Sequence, residues 1–219
     1  MRKIDEPKLL EYIQGTTEGR KLEFKPSLDW DDPNSKKLKE EIIKSIIAFS
    51  NIPTGGTIIL GIDHRQDGSK IRYSLSGVSQ VQINWIDEHY EQIEKQVQNF
   101  CSEPPNFEFV WGATNKLDKM GKTLRFILVI VNEFVSLPII CSTTGSQKEE
   151  NKIDYVLREG DIYTRSYRAN WSSKRCTAKE LEEIIKLTAD KHRQELKLRG
   201  YVKLDDLVVK LKEERSEYE

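Results

Sequence analysis

Apolar residues recur along this chain with two periods, and each change of period marks a boundary between elements. Leu9, Leu10 and Ile13 are spaced for one face of a helix over 6–14, closed by Gly15. Leu22 and Phe24 then alternate with Lys21, Glu23 and Lys25, which predicts a strand with one covered face. A loop rich in Asp, Pro and Asn leads into a helix over 36–50 that carries Leu38, Ile42, Ile46 and Phe49 on one stripe. Asn51 to Gly56 breaks it, and 57–62 reads as a buried strand, with a turn at Asp67–Ser69 into another near 71–73. A second amphipathic helix spans about 84–100, with Ile86, Tyr90, Ile93, Val97 and Phe100 inward. Residues 107–113 and 123–131 read as an antiparallel pair, and 138–141 and 155–165 supply further strand. Thr177-Ala178-Lys179-Glu180 has the form of a capping box that opens a long helix to about 198, and 205–211 suits one more short helix.

Helices interspersed with hairpins predict an α+β fold: a mixed, largely antiparallel sheet with packed helices and a C-terminal helical tail. The composition break near Ser172-Ser173 divides a domain of 1–172 from a tail of 173–219.

Bulk properties narrow the function little. In 219 residues, 37% are hydrophobic and 32% charged, with net charge −1, which suits a polar globular protein. No apolar run approaches the roughly 18 residues of a membrane span, and no apolar stretch follows the N-terminal basic pair. A cytoplasmic protein with no membrane contact is expected. The three cysteines, Cys101, Cys141 and Cys176, are far apart in sequence and suit reduced thiols. Near-neutral charge argues mildly against nucleic-acid binding, but its distribution is uneven. Over 152–175 six basic residues (Lys152, Arg158, Arg165, Arg168, Lys174, Arg175) face three acidic ones, among Tyr155, Tyr163, Tyr167 and Trp171. That segment suits an ordinary strand pair or a surface with stacking rings for bases.

The candidate chemistry lies elsewhere. Glu18 and Glu23 precede Lys25 in Glu18-Gly19-Arg20-Lys21-Leu22-Glu23-Phe24-Lys25, and Asp63 ends Gly55-Gly56-Thr57-Ile58-Ile59-Leu60-Gly61-Ile62-Asp63. Three carboxylates at strand ends offer oxygen ligands for Mg²⁺ or Mn²⁺, and an ammonium beside them offsets phosphoryl charge. A fully extended chain would separate Glu18 from Glu23 by roughly 16 Å, so joint action needs a bend, and Gly19 is placed to supply one. Glu23 and Lys25 share the face away from Leu22 and Phe24. Gly121-Lys122-Thr123 lacks the first glycine of a phosphate loop and precedes a strand, so it suits a hairpin turn. His64, beside Asp63, is the one histidine placed to assist as an acid or base.

With Ile47-Ala48-Phe49-Ser50-Asn51, Leu137-Pro138-Ile139 and Tyr155-Val156-Leu157-Arg158-Glu159-Gly160, this ordered set resembles the Schlafen-type AlbA domain over about 5–170. The resemblance implies a metal-dependent endoribonuclease that cuts structured RNA, tRNA being favoured over DNA, in a toxin or antiviral defence setting. It implies Glu18, Glu23 and Asp63 as ligands of Mg²⁺ or Mn²⁺, and Lys25 as a phosphate contact. Arg158, Arg165, Arg168 and Lys174 are the expected nucleic-acid-binding residues. The family's nucleases pair two such lobes where this chain encodes one, so a homodimer or a place in a larger complex is expected. Two other readings compete: a non-catalytic nucleic-acid-binding regulatory module, and an interaction subunit that docks through its helical tail.

Overall fold

The computed structural model describes residues 1–14, 18–67, 70–117, 123–146, 155–167 and 172–198. Its elements are β1 (Arg2–Lys3), α1 (Glu6–Gln14), β2 (Leu22–Lys25), α2 (Lys36–Ser50), β3 (Gly56–Leu60), β4 (Ile62–Asp67), β5 (Lys70–Leu75), α3 (Gln80–Glu88), α4 (Tyr90–Gln98), β6 (Phe107–Leu117), β7 (Thr123–Val131), β8 (Tyr163–Arg165), β9 (Ser173–Arg175) and α5 (Ala178–Leu198).

A five-stranded sheet in the order β1-β6-β7-β3-β2 carries the fold. β6–β7 and β3–β7 are antiparallel, whereas β1–β6 and β2–β3 are parallel. Two small antiparallel ribbons, β4–β5 and β8–β9, complete the strands. The architecture is therefore α+β with a mixed sheet, as the interspersed periods predict.

Both faces of the sheet are covered. Ile58, Leu60, Ile127 and Val129 pack under α2, α3 and α4 with Ile42, Ile46, Phe49, Ile86, Ile93 and Val97. Ile59, Phe126 and Leu128 point the other way, into a second core with Leu9 and Ile13 of α1. Central strands covered twice lose the alternation of a half-buried strand, which is why β3 and β7 read as continuous apolar runs.

Local differences from the expected elements have local causes. The strand expected over 57–62 is cut at Gly61 (φ 102°), where a side chain would meet the backbone of Gly77. Beyond that kink the chain leaves the main sheet as the β4–β5 ribbon. The helix expected from 84 starts at Gln80, where Ser79 and Gln82 form a capping box, and divides at His89, whose ring stacks on Trp85 at 4.3 Å. The segment 138–141 makes only isolated bridges, Cys101↔Cys141 and Ile140↔Ile162, because its backbone is also held by a side chain. Buried Asn51 donates to the carbonyls of Ile139 and Tyr163 and accepts from the Ile139 N–H at 2.8 Å. The capping box at Thr177 and Glu180 is formed. The expected turn at 118–122 and the helix at 205–211 lie outside the described residues.

Candidate functional site

β2 lies at an edge of the sheet, so half of its backbone groups look outward. One of them fixes the first candidate residue: the Phe24 N–H donates to Oε1 of Glu18 at 2.8 Å. Glu18 can reach it because the chain folds back at Gly19, which pairs with Leu22 through Gly19 N–H to Leu22 C=O (3.0 Å) and the reverse bond (3.3 Å). The bend required by the spacing is present. Tyr73 of β5 packs edge-on against Phe24 at 5.1 Å. The Tyr73 hydroxyl is pushed up first by burial and then by the Glu18 charge beside it.

Glu23 and Lys25 share the opposite face, as strand alternation demands. That face is covered by α2 and the β8–β9 ribbon, so Glu23 is only 6% exposed. Its Oε1 receives Lys25 Nζ at 3.0 Å. Its Oε2 receives Arg165 at 2.9 Å and the Ser173 hydroxyl at 3.3 Å. Lys25 also lies 3.5 Å from Glu41 of α2. Burial alone would push the Glu23 carboxyl up, but Lys25 and Arg165, with hydrogen bonds from Ser45 and Lys25, hold it below the usual range. Lys25 is opposed by burial in the same way and is raised by Glu23 and Glu41. Both groups are therefore charged at neutral pH.

Arg165 ties the parts together. Its second terminal nitrogen donates to the carbonyls of Gly19 (2.9 Å) and Leu22 (3.2 Å), and its guanidinium lies 5.0 Å from the Phe49 ring. One side chain thus holds both the Gly19–Leu22 turn and Glu23. Next to the turn, Arg20 makes a forked pair with Glu183 of α5 (3.1 and 2.5 Å) and lies 3.6 Å from the Tyr167 ring.

The family model described as Schlafen, AlbA_2 matches residues 18–170, from Glu18 to beyond β8. This chain belongs to the Schlafen AlbA_2 family. Membership assigns it a nucleic-acid-related function, and the domain is compatible with nuclease activity. Among solved structures, the chain is similar to the DIP2311 protein from Corynebacterium diphtheriae at 14% identity and a TM-score of 0.39, over 75% of this chain and 23% of that one. The chain thus spans under a quarter of that protein. No curated protein matches it.

In this Schlafen AlbA_2 domain the expected site residues are distributed as follows. Glu23 and Lys25 pair on one face of β2, and Glu18 is held at its edge by the Phe24 N–H. Asp63 is placed on β4 opposite Ser74, one residue from the Tyr73 that contacts Glu18. Among the described residues no three His, Cys, Asp or Glu side chains are grouped so that they could hold a metal ion. The carboxylates have the chemistry for Mg²⁺ or Mn²⁺, but as arranged they do not fit a divalent ion: two cations of the chain already face Glu23. Of the expected nucleic-acid contacts, Arg158 is exposed and Lys174 half-buried, 4.0 Å from Glu180. Arg165 is 1% exposed and turned inward, because its guanidinium is the cation that this ribbon offers to buried Glu23. Arg168 lies outside the described residues. Ser45, Ser173, Glu41 and Tyr73 were not singled out by sequence. Ser45 left a signal, being a polar residue three positions from Ile42 on a stripe otherwise apolar. No described helix is long and apolar enough to cross a membrane.

Proposed function

We propose that this chain is an endoribonuclease of the Schlafen type that cleaves structured RNA, tRNA in preference to DNA, at the start of β2. The observation that carries this reading is that Glu18 lies near enough to the Glu23–Lys25 ion pair for its charge to act on Lys25, beside a turn held by Arg165. Lys25 supplies positive charge for a phosphoryl oxygen, Glu18 offers a carboxylate to accept a proton, and the buried Glu23–Arg165 pair keeps both in register. Arg158 and Lys174 would contact the RNA backbone, and a homodimer would supply a second face. A toxin or defence role follows from this reading.

One observation favours a second reading, a non-catalytic nucleic-acid-binding regulatory module: both oxygens of Glu23 are engaged by the chain's own groups. One experiment separates the two. Labelled tRNA and a DNA hairpin are incubated with the protein and with Glu18→Ala, in Mg²⁺, in Mn²⁺ and in a chelator, while filter binding is followed in parallel. The nuclease reading expects tRNA fragments that vanish in Glu18→Ala with binding kept, and the chelator arm shows whether Glu18, Glu23 and Asp63 act with a metal. Salt-sensitive binding without fragments in every arm would leave the regulatory module, and no binding at all would remove both.

A further inference from the structure

The three cysteines are free thiols whose spacing gives no reason to pair them. The fold pairs two. Cys101, just beyond α4, and Cys141, on the segment after β7, are directly opposed in an antiparallel bridge. The flanking bonds define the kind of pair. Ser102 N–H donates to Ile140 C=O at 2.8 Å, and Ser142 N–H donates to Phe100 C=O at 3.0 Å. The cysteines exchange none between themselves: Cys101 N–H goes to Gln98 and Cys141 N–H to Asp161. They therefore occupy the narrow, non-hydrogen-bonded position, where opposed Cα atoms lie about 4.5 Å apart and side chains leave on one face. A disulfide spans Cα separations of about 4.4–6.8 Å. The backbone needs no rearrangement to accept one.

We propose that Cys101 and Cys141 form a built-in oxidation site that closes to an intramolecular disulfide in the presence of a peroxide. A peroxide is the reagent class that fits, because residues 8% and 1% exposed admit a small oxidant more readily than a bulky disulfide. The Cys101 thiolate, the more exposed, attacks one oxygen of hydrogen peroxide. The O–O bond breaks, the departing hydroxide takes a proton to become water, and Cys101 becomes a sulfenic acid. The Cys141 thiolate then attacks that sulfur. An S–S bond forms, the S–O bond breaks, and the hydroxide leaves as a second water. Two thiols are oxidised by two electrons and one peroxide is reduced to two waters.

The Cys101 thiol is pushed up to about 12, by burial first and Cys141 second, so little thiolate is present and closure is slow. Each thiol now donates to a carbonyl, Cys101 to Val97 at 3.2 Å and Cys141 to Thr143 at 3.3 Å, and both weak bonds are given up on closure. The bond would staple the end of α4 to a segment that also pairs with residues 160–162, just ahead of β8 and Arg165. It closes a loop of about forty residues that contains β6 and β7, so the entropy of the unfolded chain falls substantially.

The test uses the whole chain. Reduced protein is treated with hydrogen peroxide in buffer and in urea below its unfolding transition, then alkylated, digested without reductant and mapped by mass spectrometry. Thermal unfolding is recorded before and after dithiothreitol. The expected result is a Cys101–Cys141 crosslinked peptide and a Tm roughly 10 °C above the reduced form, reversed by dithiothreitol. Cys176→Ser should behave as the parent, and Cys101→Ser should give neither effect. Four results would each overturn the proposal: sulfinic acid without a crosslink, a crosslink through Cys176, thiols untouched in both buffers, or a crosslinked form no more heat-stable than the reduced one.

Discussion

Glu23 is the residue whose setting most changes what a substitution should do. Clustered carboxylates that merely repelled one another would become more stable on losing a member, but this one is enclosed with two cations. Glu23→Ala leaves the buried Arg165 guanidinium uncompensated and should cost about 3 kcal/mol in urea unfolding, whereas Glu18→Ala and Asp63→Ala should stay within about 1 kcal/mol. Equal losses for all three would mean the ion pair is not what holds this corner. The pH dependence follows from the same setting. Glu23 is held below its unfolded value of about 4.3, so its contribution is complete above that value and is lost as pH falls through the lower folded one. Lys25 is held above its unfolded value of about 10.4, so its contribution is complete below that and fades as pH rises through the higher folded value. Stability measured by urea across the acid range should fall for the parent and be flatter for Glu23→Gln. Of the site, residue types and the bend at Gly19 were legible, because both follow from chain geometry close in sequence. The burial of Glu23 and the inward turn of Arg165 were not. Strand alternation names a face, but only the distant elements packed on it decide whether that face is wet.

At the scale of elements, two joints govern where the candidate residues stand. Gly61 ends β3 and redirects the chain into the ribbon that carries Asp63 and Tyr73; its φ of 102° and its contact with Gly77 leave no room for a side chain. Gly61→Ala should cost about 1–3 kcal/mol and loosen the ribbon, seen as faster amide hydrogen exchange in 62–75 than in β7. The other joint is Arg20, which fastens the Gly19 turn to α5 through Glu183 and Tyr167. Arg20→Ala should cost about 1–2 kcal/mol and raise exchange at the start of α5 without unfolding the sheet. These joints mark where sequence reading stops short. The helices over 36–50 and 178–198, and the strands of the main sheet apart from β1, follow from period and capping alone. The break at Gly61, the division at His89 and the reduction of 138–141 to bridges depend on a φ value, a ring stack and Asn51, none of which a period reports. The expected tail boundary at 172–173 falls where β9 begins, and β9 pairs with β8 while Ile184 of α5 joins the main core.

For the whole molecule, the open question of assembly rests on α5. Leu181 and Ile185, one turn apart, remain exposed there while Ile184 is buried, which leaves a short apolar strip beside the packed one. If that strip mediates self-association, light scattering at micromolar concentration should give a dimer, and Ile185→Lys should return a monomer with unchanged thermal stability. A monomeric parent would remove the strip as an interface. The Glu23–Arg165 pair has a further consequence for how the molecule comes into being. Its partners are 142 residues apart, and at about 5–20 residues per second of synthesis that interval lasts roughly 7–28 s. Throughout it the emerging chain carries an acidic pocket with no guanidinium to close it, and the Gly19–Leu22 turn lacks its clasp. The pocket therefore assumes its final form only once β8 has been synthesised, whichever order the rest of the fold adopts.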